Sequence, residues 1–414
     1  MDPLENPYTP NAGAIPPVLV GRDDQISTFD LLLARLRRGR TEQSMIVTGL
    51  RGVGKTVLLG TFRDKAEDDN WAVIEIEVSK HDDAHFRLQL SQEFRRALLA
   101  ISPRSKWRDR TQSAAGVLRS FTLSIDPDGR ITAGLGVDAA EGKADSGSLE
   151  LDLTDLVVSV GEAARQHETG VLILLDEIQF LSKLQLEAVV MAIHKAVQRS
   201  LPITMVGAGL PQIAELAGEA KSYSERLFKF PEIGRLSIDD ATTALQDPAS
   251  EQGVTFTDDA LVAAYEATGG YPYFIQELGY AAWPLADDNV VTSEDIADAE
   301  RVFEAKLDAS FFRVRLDRTS DLERAYLRAM AELGPEPQLA SDVASLLHRT
   351  SEQCGPTRST LIQKGLLYTP QHGYASFTVP HFDRFMKRSV PMLEAPPIQA
   401  RRRRMPASTD GTND

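Results

Sequence analysis

The hydrophobic pattern switches repeatedly between helical and strand-like periods. Ile26, Phe29, Leu32, Leu33 and Leu36 recur at helical spacing, which predicts an amphipathic helix over residues 23–39. Residues 44–57, SMIVTGLRGVGKTV, read as a short apolar strand, a glycine loop and the start of a helix. Residues 71–78 alternate apolar and polar side chains as a strand should, and Phe86, Leu90, Phe94 and Leu98 mark a helix over 84–99. Residues 151–166 resume helical spacing, and the run VLILLD predicts a buried strand. A helix follows, then the strand LPITMVGAG, with a further helix beginning at Pro211 as a favoured first position. Strands that alternate with helices in this way predict an α/β domain built on a parallel sheet.

Three stretches depart from that rhythm. Residues 1–20 carry Pro7, Pro10, Pro16 and Pro17, a spacing that forbids a helix and predicts an extended arm, or a plain linker. Residues 104–150 read as a surface insertion, with a hairpin turning at residues 126–129 and a polar, glycine-rich remainder. Residues 237–309 lose the strand signals and show helix starts at Ser237, Thr257 and Ser293, each followed within three residues by Asp, which predicts a helical lid. Beyond it, an amphipathic helix stops at Gly334 and Pro335. A second helix, a third starting at Pro356 and two extended runs around residues 371–373 then follow. That succession is the winged-helix order.

Composition narrows the class. A chain of 414 residues with 42% hydrophobic and 25% charged residues is long enough for two or three globular domains. Cys354 is the only cysteine, so neither an internal disulfide nor a cysteine zinc cluster can form, as suits a reducing cytoplasm. No apolar run is long enough to span a bilayer and no secretory signal is evident, so a cytoplasmic protein without a membrane partner is expected. The formal net charge of −15 argues against bulk attraction to nucleic acid but leaves a local basic face open.

The candidate chemistry centres on the glycine loop. Gly49, Gly54, Lys55 and Thr56 satisfy the phosphate-binding pattern, and strand and helix flank it on the required sides. The glycines, Gly52 included, let successive backbone N–H groups converge on phosphate oxygens, with Arg51, Val53 and Val57 completing the contact set. Lys55 is the expected contact to the β and γ phosphates and Thr56 the expected Mg²⁺ ligand. Asp176 and Glu177 end the VLILLD strand, where α/β ligands bind; Asp176 would hold Mg²⁺ and Glu177 would orient or deprotonate the attacking water. In isolation such an acidic pair more often caps the entry to a helix, but the phosphate loop upstream favours the catalytic reading. His194, in mid-helix, is expected to be packed or solvated, without a catalytic part.

Together, NPYTP, VGRDD, GLRGVGKT, ILLDE, SERLFKF and GGYPYFIQELG resemble the bacterial origin-recognition-like ATPases of the AAA+/STAND group. The resemblance spans nearly the whole chain. It implies a P-loop NTPase core, a helical lid and a C-terminal winged helix, with ATP and Mg²⁺ as cofactors. By resemblance, Gly21 and Arg22 would sit at the adenine and ribose, and Gly270, Tyr271 and Pro272 would bring the lid to the nucleotide. Relatives carry a polar sensor after the Walker B strand; here Gly207, Ala208 and Gly209 stand there, which leaves the hydrolysis rate open. Arg226 could supply compensating charge to its own site or a neighbour's, or form a surface salt bridge.

The expected layout is an arm over 1–22, a core over 23–235, a lid over 236–312, a winged helix over 318–390 and a disordered tail over 391–414. Used on duplex DNA, the winged helix would present Thr357, Arg358 and Thr360 to the groove, Arg349 and Lys364 to phosphates, and His372 on the wing. Eight Lys or Arg against seven Asp or Glu between Ser320 and Arg388 make this region near neutral, and Arg401 to Arg404 add a basic run in the tail. Three functions follow: an ATP-dependent switch on DNA, a STAND-like scaffold whose winged helix and insertion bind protein partners or further copies of the chain, or a small-molecule kinase, which the lid and winged helix disfavour.

Overall fold

The computed structural model describes residues 1–397 except Lys80, His81, Arg108, Ser124, Pro127, Gly129 and 131–134. The expected hairpin turn over 126–129 falls largely outside the described residues, as does the arginine run of the tail. The chain divides into two compact units, Met1–Leu307 and Asp308–Asp414.

The first unit is built on five parallel strands, β1 (Ser44–Thr48), β2 (Ala72–Glu77), β3 (Val171–Asp176), β4 (Ile203–Gly209) and β5 (Phe228–Lys229), in the order β2-β3-β4-β1-β5. Strand β4 therefore separates the glycine-loop strand from the strand that ends in the acidic pair. Both faces are covered, which is why the strands read as continuous apolar runs. Met45 and Val47 of β1 face a layer formed by α1 (Asp23–Arg37) and α2 (Lys55–Asp68), where Phe29 stacks on Phe62 at 4.3 Å. Ile46 turns to the opposite layer. There lie α3 (Asp83–Ile101), α4 (Asp109–Leu123), α5 (Leu149–Gln166), α6 (Lys183–Gln198) and α7 (Ile213–Ala220). A single helical turn, α8 (Ser224–Leu227), leads into β5.

The surface-insertion reading of 104–150 fails at α4. Ala114, Val117, Leu118 and Phe121 are fully buried and join the core between α3 and α5. The segment that suggested an extended hairpin, Phe121 to Leu123, is the last turn of this helix. Pro211 likewise does not start α7; it lies in a turn, with Gln212 at the cap.

The lid consists of α9 (Ile238–Glu251), α10 (Asp258–Thr268), α11 (Pro272–Ala282) and α12 (Ser293–Lys306). Ser237, Thr257 and Thr292 cap three of these helices by accepting from the backbone N–H three residues on. The third cap is thus one residue earlier than Ser293. A two-residue parallel pair, β6 (Thr255–Phe256) with β7 (Val290–Val291), ties the lid's loops together.

The second unit contains α13 (Arg313–Leu316), α14 (Asp321–Leu333), β8 (Gln338–Leu339), α15 (Ala340–Leu346), α16 (Ser351–Gln363), β9 (Leu367–Tyr368), β10 (Tyr374–Phe377) and α17 (Phe382–Ser389). Antiparallel pairing orders its sheet β8-β10-β9. Helix α16 begins at Ser351, with a Thr350–Gln353 capping box, so Pro356 lies inside it and does not start it. Among the described residues, no helix is long and apolar enough to cross a membrane.

Candidate active site

The loop between β1 and α2 is shaped by three glycines for three different reasons. A Cβ on Gly49 would lie 2.4 Å from the Ile233 carbonyl oxygen, so this glycine is required by close packing. Gly52 and Gly54 adopt φ of 83° and 93°, the left-handed region that side chains resist. Nothing lies within 4 Å of a Cβ placed on Gly54, which leaves the mouth of the loop open. Lys55 is buried and curls back, its Nζ donating to the carbonyls of Gly49 (2.9 Å) and Leu50 (2.8 Å). Burial pushes the Lys55 ammonium down to about 8, against the pull of Glu177 and Asp176. Val53 is buried in the α1–α2 layer, and Val57 lies in the first turn of α2.

The parallel sheet carries the acidic pair to the same edge. Thr56 Oγ1 donates to Asp176 Oδ2 at 2.6 Å, joining the loop to the end of β3. Burial raises the Asp176 carboxyl above the usual carboxylate range, although the bonds from Thr56 and from the Glu177 N–H oppose this. Glu177 itself sits in the left-handed region (φ 51°) and does not cap a helix with its side chain. Its carboxylate lies 3.9 Å from the Arg51 guanidinium, whose buried Nε has no hydrogen-bond partner among the described residues, and accepts from Gln179 Nε2. Gln179 Oε1 also accepts from the Leu210 N–H at 3.1 Å. A Cβ on Gly209 would fall 2.7 Å from that same oxygen. The space that a polar residue on β4 would use is therefore filled from the β3 side. Sequence reading noticed the missing sensor but not Gln179, two residues beyond the acidic pair.

The arm joins the lid to the glycine loop. Tyr8 is fully buried, donating from its hydroxyl to the Leu245 carbonyl at 2.6 Å and meeting Trp283 edge-on. Asn6 and Thr9 bond to Tyr280 and Gln276 of α11. Further along, Gly13 passes over Thr56, and Arg22 reaches the loop. The guanidinium of Arg22 is occupied by protein: it donates to the carbonyls of Gly21, Val53 and Gly234 at 2.7–2.9 Å. Arg22 thus pins the loop to the start of the lid, beside the glycine loop where the nucleotide site was expected. From the lid, Tyr271 packs against the α1–α2 layer, Pro272 opens α11, and the Tyr273 N–H donates to the Gly52 carbonyl at 3.2 Å. Gly270 is forced by φ 74° and by Leu236, whose carbonyl would lie 2.7 Å from its Cβ. Tyr273, missed in the sequence, is the lid residue hydrogen-bonded to the glycine loop.

Residues 18–206 match the AAA ATPase domain family. They form an AAA ATPase domain. The structure is similar to the Walker-type ATPase PABY2304 of Pyrococcus abyssi, with TM-score 0.54 and 16% identity, covering 89% of this chain and 96% of that one. The ORC2 protein of Aeropyrum pernix, solved as ADPNP–ADP complexes, gives 0.53 and 16%, covering 92% and 98%. The fold is that of origin-recognition-like AAA+ P-loop ATPases, and the protein is an ATPase that binds nucleotide. Residues 309–386 match a domain of unknown function, DUF8462. No curated protein matches the sequence.

One expected contributor to the ATPase lies elsewhere. Arg226 is exposed, and among the described residues it makes no ion pair, so the salt-bridge alternative is not realised there. Its carbonyl accepts from Gln43, just before β1, and β5 pairs with the beginning of β1. It therefore sits at the end of the sheet opposite the glycine loop, about 17 Å away along the strand, which rules out a role in its own site. His194, as expected, is a packed residue, its ring tilted against Tyr223 at 4.3 Å.

In the second unit of the ATPase, the proposed DNA-contact set is dispersed. Thr357 is buried in one stripe with Cys354 and Leu361. Lys364 donates to both carboxylate oxygens of Glu323 (2.9 and 2.7 Å) and to the Arg318 carbonyl. Arg349 donates to the Pro396 carbonyl at 2.6 Å, and the Thr360 hydroxyl to that of Pro356. Arg358 is half-exposed and His372 exposed in its turn. The expected contacts of Thr357 and Lys364 with DNA are corrected: one side chain faces the core and the other neutralises a carboxylate.

Proposed function

We propose that the chain binds MgATP in its glycine loop, hydrolyses it with Glu177, and couples nucleotide state to DNA binding by its C-terminal unit. The single observation that carries the nucleotide part is the bond between Thr56 and Asp176 beside a loop whose mouth is open at Gly54. Two hard oxygen donors at one point suit Mg²⁺, and Thr56 and Asp176 would hold it. When bound, the ion neutralises charge on the phosphates. Lys55 would exchange its two loop carbonyls for phosphate oxygens, with the N–H groups of Gly52 to Val57 around them. Glu177 would take the proton of the attacking water. Arg51, 3.9 Å from Glu177, supplies positive charge on the same side. Arg226 would serve only the site of a neighbouring copy.

For the C-terminal unit, the succession α14, β8, α15, α16, β9, β10 supports a winged helix in which β8 joins the hairpin edge. Arg358, Thr360, Arg349 and the wing residue His372 are what it has left to offer a duplex. One observation favours the other reading, a protein-binding winged helix: Lys364 is already neutralised by Glu323. Anisotropy of a labelled duplex, measured with and without ATP over a range of salt, separates the two. Binding that weakens with salt and falls in Arg358→Ala supports DNA contact; no binding at low salt in either nucleotide state refutes it. Turnover abolished by Lys55→Ala and by Glu177→Gln tests the ATPase assignment of these residues.

A further inference from the structure

We propose that Gln179 is the positioning residue for Glu177, standing in from the β3 side for the polar group that β4 lacks. The inference rests on Glu177 being the hydrolytic carboxylate. Three observations carry it. Gln179 is bonded at both ends of its amide: Oε1 accepts from the Leu210 N–H, and Nε2 donates to Glu177 Oε2. That polarity is the only one that gives each partner what it needs, because a backbone N–H can only donate and a carboxylate can only accept. Second, the amide fills the room above Gly209, where an added Cβ would be 2.7 Å from Gln179 Oε1 and 2.9 Å from Ile178 Cγ2. A glycine at the end of β4 is thus the condition for Gln179 to lie there. Third, Glu177 is in the left-handed region and begins a single turn, Ile178–Phe180, that returns the chain over the end of β4. The turn brings the amide back to the carboxylate two residues earlier.

The physical consequence is rotational. A glutamate beside an open loop has several side-chain rotamers, of which few point its oxygens toward the nucleotide. The Leu210 N–H fixes one end of the Gln179 amide, and the other end fixes the Glu177 carboxylate. The Arg51 guanidinium on the glycine loop lies 3.9 Å from the same oxygen. The carboxylate is held between a reporter of β4 and a reporter of the phosphate loop. In this arrangement Gln179 acts through Glu177.

The test uses the full chain and steady-state ATP turnover, with nucleotide affinity from a fluorescent ATP analogue and thermal unfolding run alongside. Glu177→Gln sets the baseline: if it leaves turnover unchanged, the assignment of Glu177 fails, independently of Gln179. Given a baseline loss, Gln179→Leu is expected to lower kcat by about tenfold or more while KM and analogue affinity stay within about twofold and the unfolding temperature holds. Gln179→Asn, which keeps both amide ends on a shorter stem, should recover part of the loss. Unchanged kcat in Gln179→Leu overturns the proposal. So does a raised kcat, which would make the amide a restraint on Glu177, or a loss that tracks KM or unfolding, which would make the residue merely structural.

Discussion

The buried ammonium of Lys55 makes nucleotide affinity depend on pH in a range where ordinary lysines do not titrate. In the nucleotide-free loop its pKa is about 8, lowered from 10.5 chiefly by burial. Bound phosphates favour the charged form, so the pKa in the complex is higher than in the free protein. Binding must then take up a proton above pH 8 and weaken as pH rises, while below pH 8 the lysine is charged in both states and contributes no slope. Between pH 7 and pH 9 the charged fraction of the free protein falls from about 0.9 to about 0.1, so Kd should rise about tenfold, ~1.4 kcal/mol. A lysine at its ordinary value would change Kd by less than about 5% over the same interval. The assay is titration of a fluorescent ADP analogue at constant ionic strength from pH 6.5 to 9.5, with Lys55→Arg as a control that stays charged throughout. A wild-type Kd equal at pH 7 and pH 9, or an equal slope in the arginine variant, would falsify the reasoning.

Three further outcomes are expected. Gly49→Ala forces a Cβ to 2.4 Å from the Ile233 carbonyl and 2.9 Å from Val53, and should cost about 1–3 kcal/mol in denaturant unfolding; an unchanged midpoint would show that β1 shifts freely. Lys364→Ala strips Glu323 of its ammonium partner and should destabilise the C-terminal unit by about 1–2 kcal/mol, read by protease resistance, with little effect on duplex affinity. A drop in affinity at unchanged stability would restore Lys364 to the DNA-contact set. Arg226→Ala should lower turnover but regain part of it when mixed with Lys55→Ala, because each variant supplies what the other lacks across a neighbour contact. A chain that stays monomeric with ATP by light scattering removes that role.

The nucleotide loop was legible because its chemistry demands particular residues at fixed spacing, and the short β-branched and leucine-rich run before Asp176 fits a strand covered on both faces. What needed the folded chain was everything decided by packing. The end of helix α4 reads as extended because Phe121 and Thr122 are strand-favouring residues, yet burial between α3 and α5 overrides that preference. Thr357 looked exposed so long as its helix was started at Pro356. Once the helix runs from Ser351, Cys354, Thr357 and Leu361 form a single buried stripe. Arg226 could be assigned to its own site or a neighbour's from sequence; only the pairing of β5 with the start of β1 puts it at the far end of the sheet. Arg22 was rightly drawn toward the glycine loop, but nothing in a sequence says that three carbonyls will take up its donors.

The hydrogen bond from the Tyr273 N–H to Gly52 makes the first peptide of α11 part of the phosphate cradle's own backbone network. One carbonyl is thereby shared between a loop that must receive phosphate and a helix that belongs to another layer. Thermodynamic reciprocity then binds the two: whatever nucleotide does to the lid, a change in the lid must do to nucleotide affinity, with the same free energy. Substitutions around Tyr271 and Tyr273, remote from any phosphate contact of their own, will therefore register as changes in Kd, and affinity becomes a gauge of lid position.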